Sequence, residues 1–180
     1  MKQAAVKTDK SSPFITMDCS NARSILRMQY IELATLADFP EIIEVWEASV
    51  RATHDFLSEN DIQYFKPLIL NEYLEAVELF CVRENNKIVA FLGLSPDKVE
   101  MLFVHPNVFG RGIGKKLMRY AIHEKGIRKV DVNEQNPQVV GYYKHLGFEV
   151  MSRNPLDSRG KPFPILAMEL KDLTTRDDIS

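Results

Sequence analysis

The most constraining stretch of this chain is residues 102–116. There the apolar run Leu102-Phe103-Val104 passes through His105-Pro106-Asn107-Val108-Phe109 into Gly110-Arg111-Gly112-Ile113-Gly114-Lys115-Lys116. This reads as a strand entering a glycine-rich turn that opens an amphipathic helix. Glycines at alternate positions leave backbone N–H groups uncovered at a helix N-terminus, where unpaired donors and the positive end of the macrodipole together favour an anion. Arg111, Lys115 and Lys116 oppose that dipole unless something negative sits among them, so the stretch is a candidate phosphate cradle.

Spacing excludes two familiar phosphate loops. A Walker loop needs Gly-x-x-x-x-Gly-Lys-Ser/Thr, whereas Gly110 and Gly114 are one residue too close and Lys116 stands in place of the hydroxyl that would hold magnesium. A dinucleotide fingerprint needs Gly-x-Gly-x-x-Gly, and Gly114 falls one position early. The plain alternative is that the glycines only make a tight strand-to-helix turn.

A second signal lies downstream, in Asn133-Glu134-Gln135-Asn136-Pro137 and Gly141-Tyr142-Tyr143-Lys144-His145-Leu146-Gly147-Phe148. Together the two stretches resemble the GNAT superfamily of acyl-CoA-dependent N-acyltransferases. Its pyrophosphate loop reads Arg/Gln-x-x-Gly-x-Gly/Ala, and its next helix carries Asn, seven residues later Tyr, then Gly-Phe. Gly112 and Gly114 match the first pattern, and Asn136, Tyr143, Gly147 and Phe148 match the second. Phe109 departs from it, standing where the family has Arg or Gln.

With 180 residues, 45% of them hydrophobic, the chain is the size of one globular domain with enough apolar content for a core. A net charge of −2 argues against bulk affinity for nucleic acid or anionic membrane. The basic run within residues 111–128 is explained by a solvated helix face. No run of about 18 apolar residues exists to span a membrane. Cys19 and Cys81 make neither a disulfide framework nor a metal cluster, so the expectation is a cytoplasmic protein without a metal.

Residues 1–24 read as a disordered extension, residues 25–170 as the domain and residues 171–180 as a charged tail. Met28, at the start of the expected first strand (27–34), is an alternative native start. Helices are expected at about 40–53 and 59–70, and a three-strand meander at 78–83, 87–95 and 98–104 turns through Asn85-Asn86 and Ser95-Pro96-Asp97. A helix ending near Gly126, a strand at 128–134, a helix at 136–145 and strands at 148–153 and 164–170 follow. The fold expected is a single mixed, mostly antiparallel α/β sheet with helices on both faces.

The resemblance implies the roles. Two central strands splay apart at the acyl-CoA site, so Leu102, Phe103 and Val104 would bind the pantetheine arm, with an amide of Phe103 or Val104 serving the oxyanion. Phe109, Gly110, Arg111, Gly112, Ile113, Gly114 and Lys115 would hold the diphosphate. Asn136 would contact the cofactor arm, although a helix cap explains it equally well. Tyr143 would protonate the departing thiolate, a role more positional than one of driving force, since a phenol near pKa 10 is a weaker acid than a thiol near 8.5. Glu100 is the candidate base, and His54, Phe56, Asn133 and Glu134 are candidates for the acceptor side. Residues 157–164 either close over the acceptor or form a surface hairpin.

The activity implied is acetyl transfer from acetyl-CoA to a primary amine within a ternary complex, without a covalent acyl-enzyme, by a monomer or homodimer. The acceptor would be a small molecule or a peptide amine. A non-catalytic acyl-CoA-binding module is the other reading.

Overall fold

The computed structural model describes residues 30–171. The expectations for residues 1–24, Cys19, Met28, the first residues of the opening strand and residues 172–180 lie outside the described residues. Within them the chain runs β1 (Ile31–Leu33), α1 (Phe39–Thr53), α2 (Glu59–Leu68), β2 (Glu78–Glu84), β3 (Lys87–Leu94), β4 (Lys98–Val104), α3 (Ile113–His123), β5 (Lys129–Asn133), α4 (Pro137–His145), β6 (Phe148–Asn154) and β7 (Ile165–Leu170). That is the expected order. No helix among the described residues is long and apolar enough to cross a membrane.

Local chemistry accounts for the boundaries. Ser58 and Asp61 open α2 with a reciprocal cap, Ser58 Oγ accepting from the Asp61 amide and Asp61 Oδ2 accepting from the Ser58 amide, both at 3.2 Å. The expected end of this helix at Leu70 is corrected: α2 stops at Leu68 and continues as a wider π-helical turn, Ile69–Tyr73. Pro67 has no N–H and its ring crowds the carbonyl four residues back, so the regular ladder cannot continue through it. The β2–β3 turn places Asn85 and Asn86 at φ 51° and 61°, the left-handed pair that a two-residue hairpin requires.

The seven strands form one sheet in the order β1-β2-β3-β4-β5-β7-β6, antiparallel everywhere except between β4 and β5. Buried residues gather on its two faces. Ile42, Trp46 and Val50 of α1 and Ile62 of α2 pack with Cys81, Phe91 and Met101 on one face. Ile113, Leu117 and Met118 of α3 and Tyr143 of α4 pack with Val82, Leu92 and Val99 on the other.

Val99 and Met101 should share a face in a regular strand, yet they sit on opposite ones. The cause is a bulge: Met101 pairs with Gly93 and Val99 with Leu94, leaving Glu100 as the extra residue. Gly93 is required there, because a Cβ would lie 3.0 Å from Val77 Cγ2 and 3.2 Å from Met101 Cβ.

Candidate active site

The bulge coincides with the point where the sheet opens. β4 and β5 pair only at Lys98 with Lys129 and Val99 with Val130, and beyond Val99 no further pair forms. Ion pairs pin the closed end, Lys98 to Asp131 at 2.6 Å and Lys129 to Asp97 at 2.7 Å. Past it, the edges of β4 and β5 are left without each other, and a cavity of about 550 Å³ fills the opening. Leu102, Phe103 and Val104 line it from β4, and Val132 and Asn133 from β5. These are the splayed strands expected from the sequence.

At the C-terminal end of β4 the glycine turn forms the cavity's rim. Gly110 and Gly112 have φ of 76° and 77°, where any other residue would be strained, and open space surrounds both. The first helical bond of α3 is the Lys116 amide to the Gly112 carbonyl, so Ile113 and Gly114 have no intrahelical acceptor for their N–H groups. Gly110, Gly112, Ile113, Gly114 and Lys115 all line the cavity, and Phe109 stands at its mouth with its side chain 45% exposed. Arg111 is not among the lining residues: its guanidinium turns to Glu84 at 3.2 Å and to the Asn107 carbonyl at 3.1 Å.

One wall is α4. Tyr143 is buried there, and burial together with neighbouring Tyr142 pushes its phenol well above the usual tyrosine range. The hydroxyl of Tyr142 is buried without a hydrogen-bond partner, and burial raises it to about 12. Asn136 has both amide atoms engaged. Its Oδ1 accepts from the Val139 amide at 3.2 Å as the α4 cap, and its Nδ2 donates to the Thr53 carbonyl at 3.2 Å, tying α4 to the end of α1.

The opposite wall is that end of α1, contributing Ser49, Thr53 and His54. His54 stacks on Phe103 at 6.3 Å and touches Phe56 at 5.2 Å between ring centroids. Burial lowers its imidazole to about 4, against the raising effect of Asp55, which favours the neutral ring near pH 7. Glu100 lines the closed end of the cavity, with Oε1 accepting from Ser95 Oγ at 2.9 Å and lying 3.3 Å from Lys98 Nζ.

Phe56 and Glu134 do not reach the cavity. Phe56 packs on Phe163 at 6.0 Å, and Glu134 is held by Arg153 at 2.6 Å. The segment at 157–164 is a turn, with the Gly160 amide bonded to the Asp157 carbonyl at 3.0 Å, and it is tied to α2 and the turn after it. Lys161 reaches Asp61 at 2.9 Å and lies 4.1 Å over the Tyr64 ring, while Arg159 reaches Glu72 at 2.5 Å. Sequence reasoning missed Ser49, Thr53, Val130, Asp131 and Tyr142 as lining residues. Tyr142, beside Tyr143 in the matched motif, had a local signal, as did Val108 and Val139, lining residues inside the loop and helix stretches and likewise not predicted. Cys81 is fully buried with its thiol pushed up to about 11, far from a thiolate nucleophile.

The profile of the acetyltransferase (GNAT) domain matches residues 75–150. Peptidyl-lysine N-acetyltransferase YjaB of Salmonella typhimurium is 39% identical over 126 residues, which span 70% of this chain and 87% of that protein. The solution structure of apo YjaB from Escherichia coli superposes with a TM-score of 0.71 at 34% identity, covering 79% of this chain and 97% of that one. PaiA N-acetyltransferase from Thermoplasma acidophilum, solved in complex with coenzyme A, shares the fold at 21% identity with a TM-score of 0.58, over 78% of this chain and 99% of that one.

Proposed function

This chain belongs to the GNAT acetyltransferase family and is an N-acetyltransferase, and from that premise we propose that it moves an acetyl group from acetyl-CoA to the side-chain amine of a lysine in a peptide or protein. The observation that carries this reading is the parting of β4 and β5 over a rim of glycine amides, with Tyr143 in the wall between them.

The residues present fit acetyl-CoA. Open amides at Gly112, Ile113 and Gly114 suit a diphosphate, since backbone donors at a helix start bind phosphate oxygens whatever acyl group is attached. The unpaired edge of β4 past Val99 suits the amides of a pantetheine arm, which would bond to Leu102, Phe103 and Val104 as a strand does. The bound thioester supplies the activated acetyl group. An amide of Phe103 or Val104 stabilises the oxyanion as the amine attacks. Tyr143, whose raised pKa keeps it protonated throughout the working range, delivers a proton to the sulfur as the C–S bond breaks. Glu100, with Oε2 left open, relays the first proton of the incoming ammonium to solvent.

The lysine acceptor rests on the activity of the YjaB relative and on the flat walls that His54 and Phe103 offer to an apolar lysine stem. Calorimetric titration of acetyl-CoA and CoA, followed by mass spectrometry of lysine peptides incubated with acetyl-CoA, tests the whole reading. Micromolar binding and acetylation at the lysine side chain are expected; absence of binding would overturn it.

A further inference from the structure

We infer that His54, through Nε2, is the base that takes the proton from the amine as it attacks. The inference rests on the acetyltransferase reading and goes beyond it by assigning this proton to a side chain that no family motif marks.

The hydrogen bonds set the tautomer. Thr53 Oγ1 lies 2.8 Å from the Ser49 carbonyl and 2.8 Å from His54 Nδ1. A threonine hydroxyl has one proton, and the carbonyl can only accept, so that proton goes to Ser49 O. Were it turned to His54, the hydroxyl lone pair would face the carbonyl oxygen at contact distance. The hydroxyl therefore accepts from Nδ1–H, and the imidazole lone pair is on Nε2.

Among the described residues Nε2 has no hydrogen-bond partner, and the buried polar side-chain atom left without one is Tyr142 Oη, so Nε2 is an accessible lone pair. His54 is one of the residues that line the cavity. Its ring stacks on Phe103, one of the two strand residues whose amides are candidates for the oxyanion in the proposed complex.

The two sides of the sheet then divide the chemistry. Tyr143 belongs to the face packed by α3 and α4, and His54 ends α1 on the other. An amine adds to the carbonyl from above or below its plane, whereas the sulfur leaves from within that plane, so the base and the sulfur's acid can stand on different walls of the cavity. Burial keeps the ring neutral, and at about 4 its basicity equals that of an ordinary carboxylate.

The nitrogen lone pair forms the C–N bond as the C=O π pair moves onto oxygen, to return when the C–S bond breaks, and the nitrogen becomes a far stronger acid than free ammonium. Its N–H breaks, with the proton passing to Nε2. The C–S bond then breaks, sulfur keeps the pair, and Tyr143 Oη protonates it. The imidazolium returns its proton through solvent to the Tyr143 phenolate, leaving an amide and a thiol. Thr53 is a positioning residue for the ring.

The test has two readouts. Long-range ¹⁵N–¹H spectra of the histidine-labelled wild-type protein without ligand should show His54 neutral with Nδ1 protonated, and Thr53→Val should mix the tautomers while Thr53→Ser keeps them. A wild-type ring protonated on Nε2 would overturn the inference. His54→Gln should lower kcat on the acetylated lysine peptide by roughly 10²–10⁴-fold with the CoA Kd unchanged, and added imidazole should partly restore His54→Ala. A His54→Gln enzyme within about threefold of wild-type kcat would also overturn it. Failure of the wild type itself to bind CoA would instead remove the acetyltransferase reading beneath.

Discussion

The two walls of the cavity are built from different materials. The α3 rim is backbone: glycines held at positive φ, uncovered amides and a helix start, with Arg111 turned away to Glu84. The α1 wall is side chain: a neutral histidine, a threonine that orients it, and aromatic rings buttressed through Phe163 by a turn that Lys161 and Arg159 tie down. A backbone cradle recognises what every acyl-CoA shares, and a side-chain wall can be remodelled for each acceptor. In the proposed reading, the difference separates a backbone-built donor side from a side-chain-built acceptor side that substitution can retune.

The comparison breaks most sharply at Tyr143. Tyr143→Phe should lower kcat by roughly 10²–10⁴-fold while leaving the CoA Kd within about twofold, because in the proposed step the hydroxyl acts on the sulfur and not on the diphosphate. Steady-state kinetics with calorimetry checks both numbers.

The α1 wall has a signature in acid. The His54 pKa is about 4 when folded and near 6.5 when unfolded, so the unfolded chain binds the extra proton between those values. Its contribution is complete above pH 6.5 and is lost as pH falls towards 4, amounting to at most ~3 kcal/mol. Between pH 6.5 and 4 the stability of wild type, followed by denaturant titrations, should fall by up to that amount more than the stability of His54→Gln.

Gly93→Ala tests what holds the walls apart. Its Cβ would press on Val77 and Met101, and a loss of about 1–3 kcal/mol in global stability is expected by chemical denaturation. The α3 rim can instead be sharpened. Phe109→Arg restores the side chain that the family pattern carries, and it should tighten CoA by about 1 kcal/mol, roughly fivefold, with no change in acceptor KM. The smallest effect should come from Lys161→Ala, which frees the turn from Asp61: acceptor KM rises by about two- to fivefold, the equivalent of a surface ion pair, while CoA binding stays the same.

Much of the α3 rim and the elements around it was legible because the causes are local. Glycine at 110 and 112 announces a backbone conformation, Asn136-Pro137 announces a helix start, and alternation announces the meander. Even there Arg111, assigned to phosphate from its place in the loop, is claimed by Glu84, which lies 27 residues away in sequence. The α1 wall of the cavity was less legible. His54 reaches the cavity, but Phe56, two residues on, packs against Phe163, and Glu134 is taken by Arg153. Ser49 and Thr53 carry no local mark of a site at all.

What the sequence determined by itself is the set of elements, their order and the glycine turn, since each follows from φ preferences, caps and apolar periodicity over a few neighbouring residues. What the tertiary structure decided is which groups meet. The bulge at Glu100 switches β4 from one face to the other, β4 and β5 part at that point, and the end of α1 arrives across the gap to be tied to Asn136. Those outcomes depend on packing between residues up to 83 positions apart, where a side chain's role is set by the partner that reaches it first.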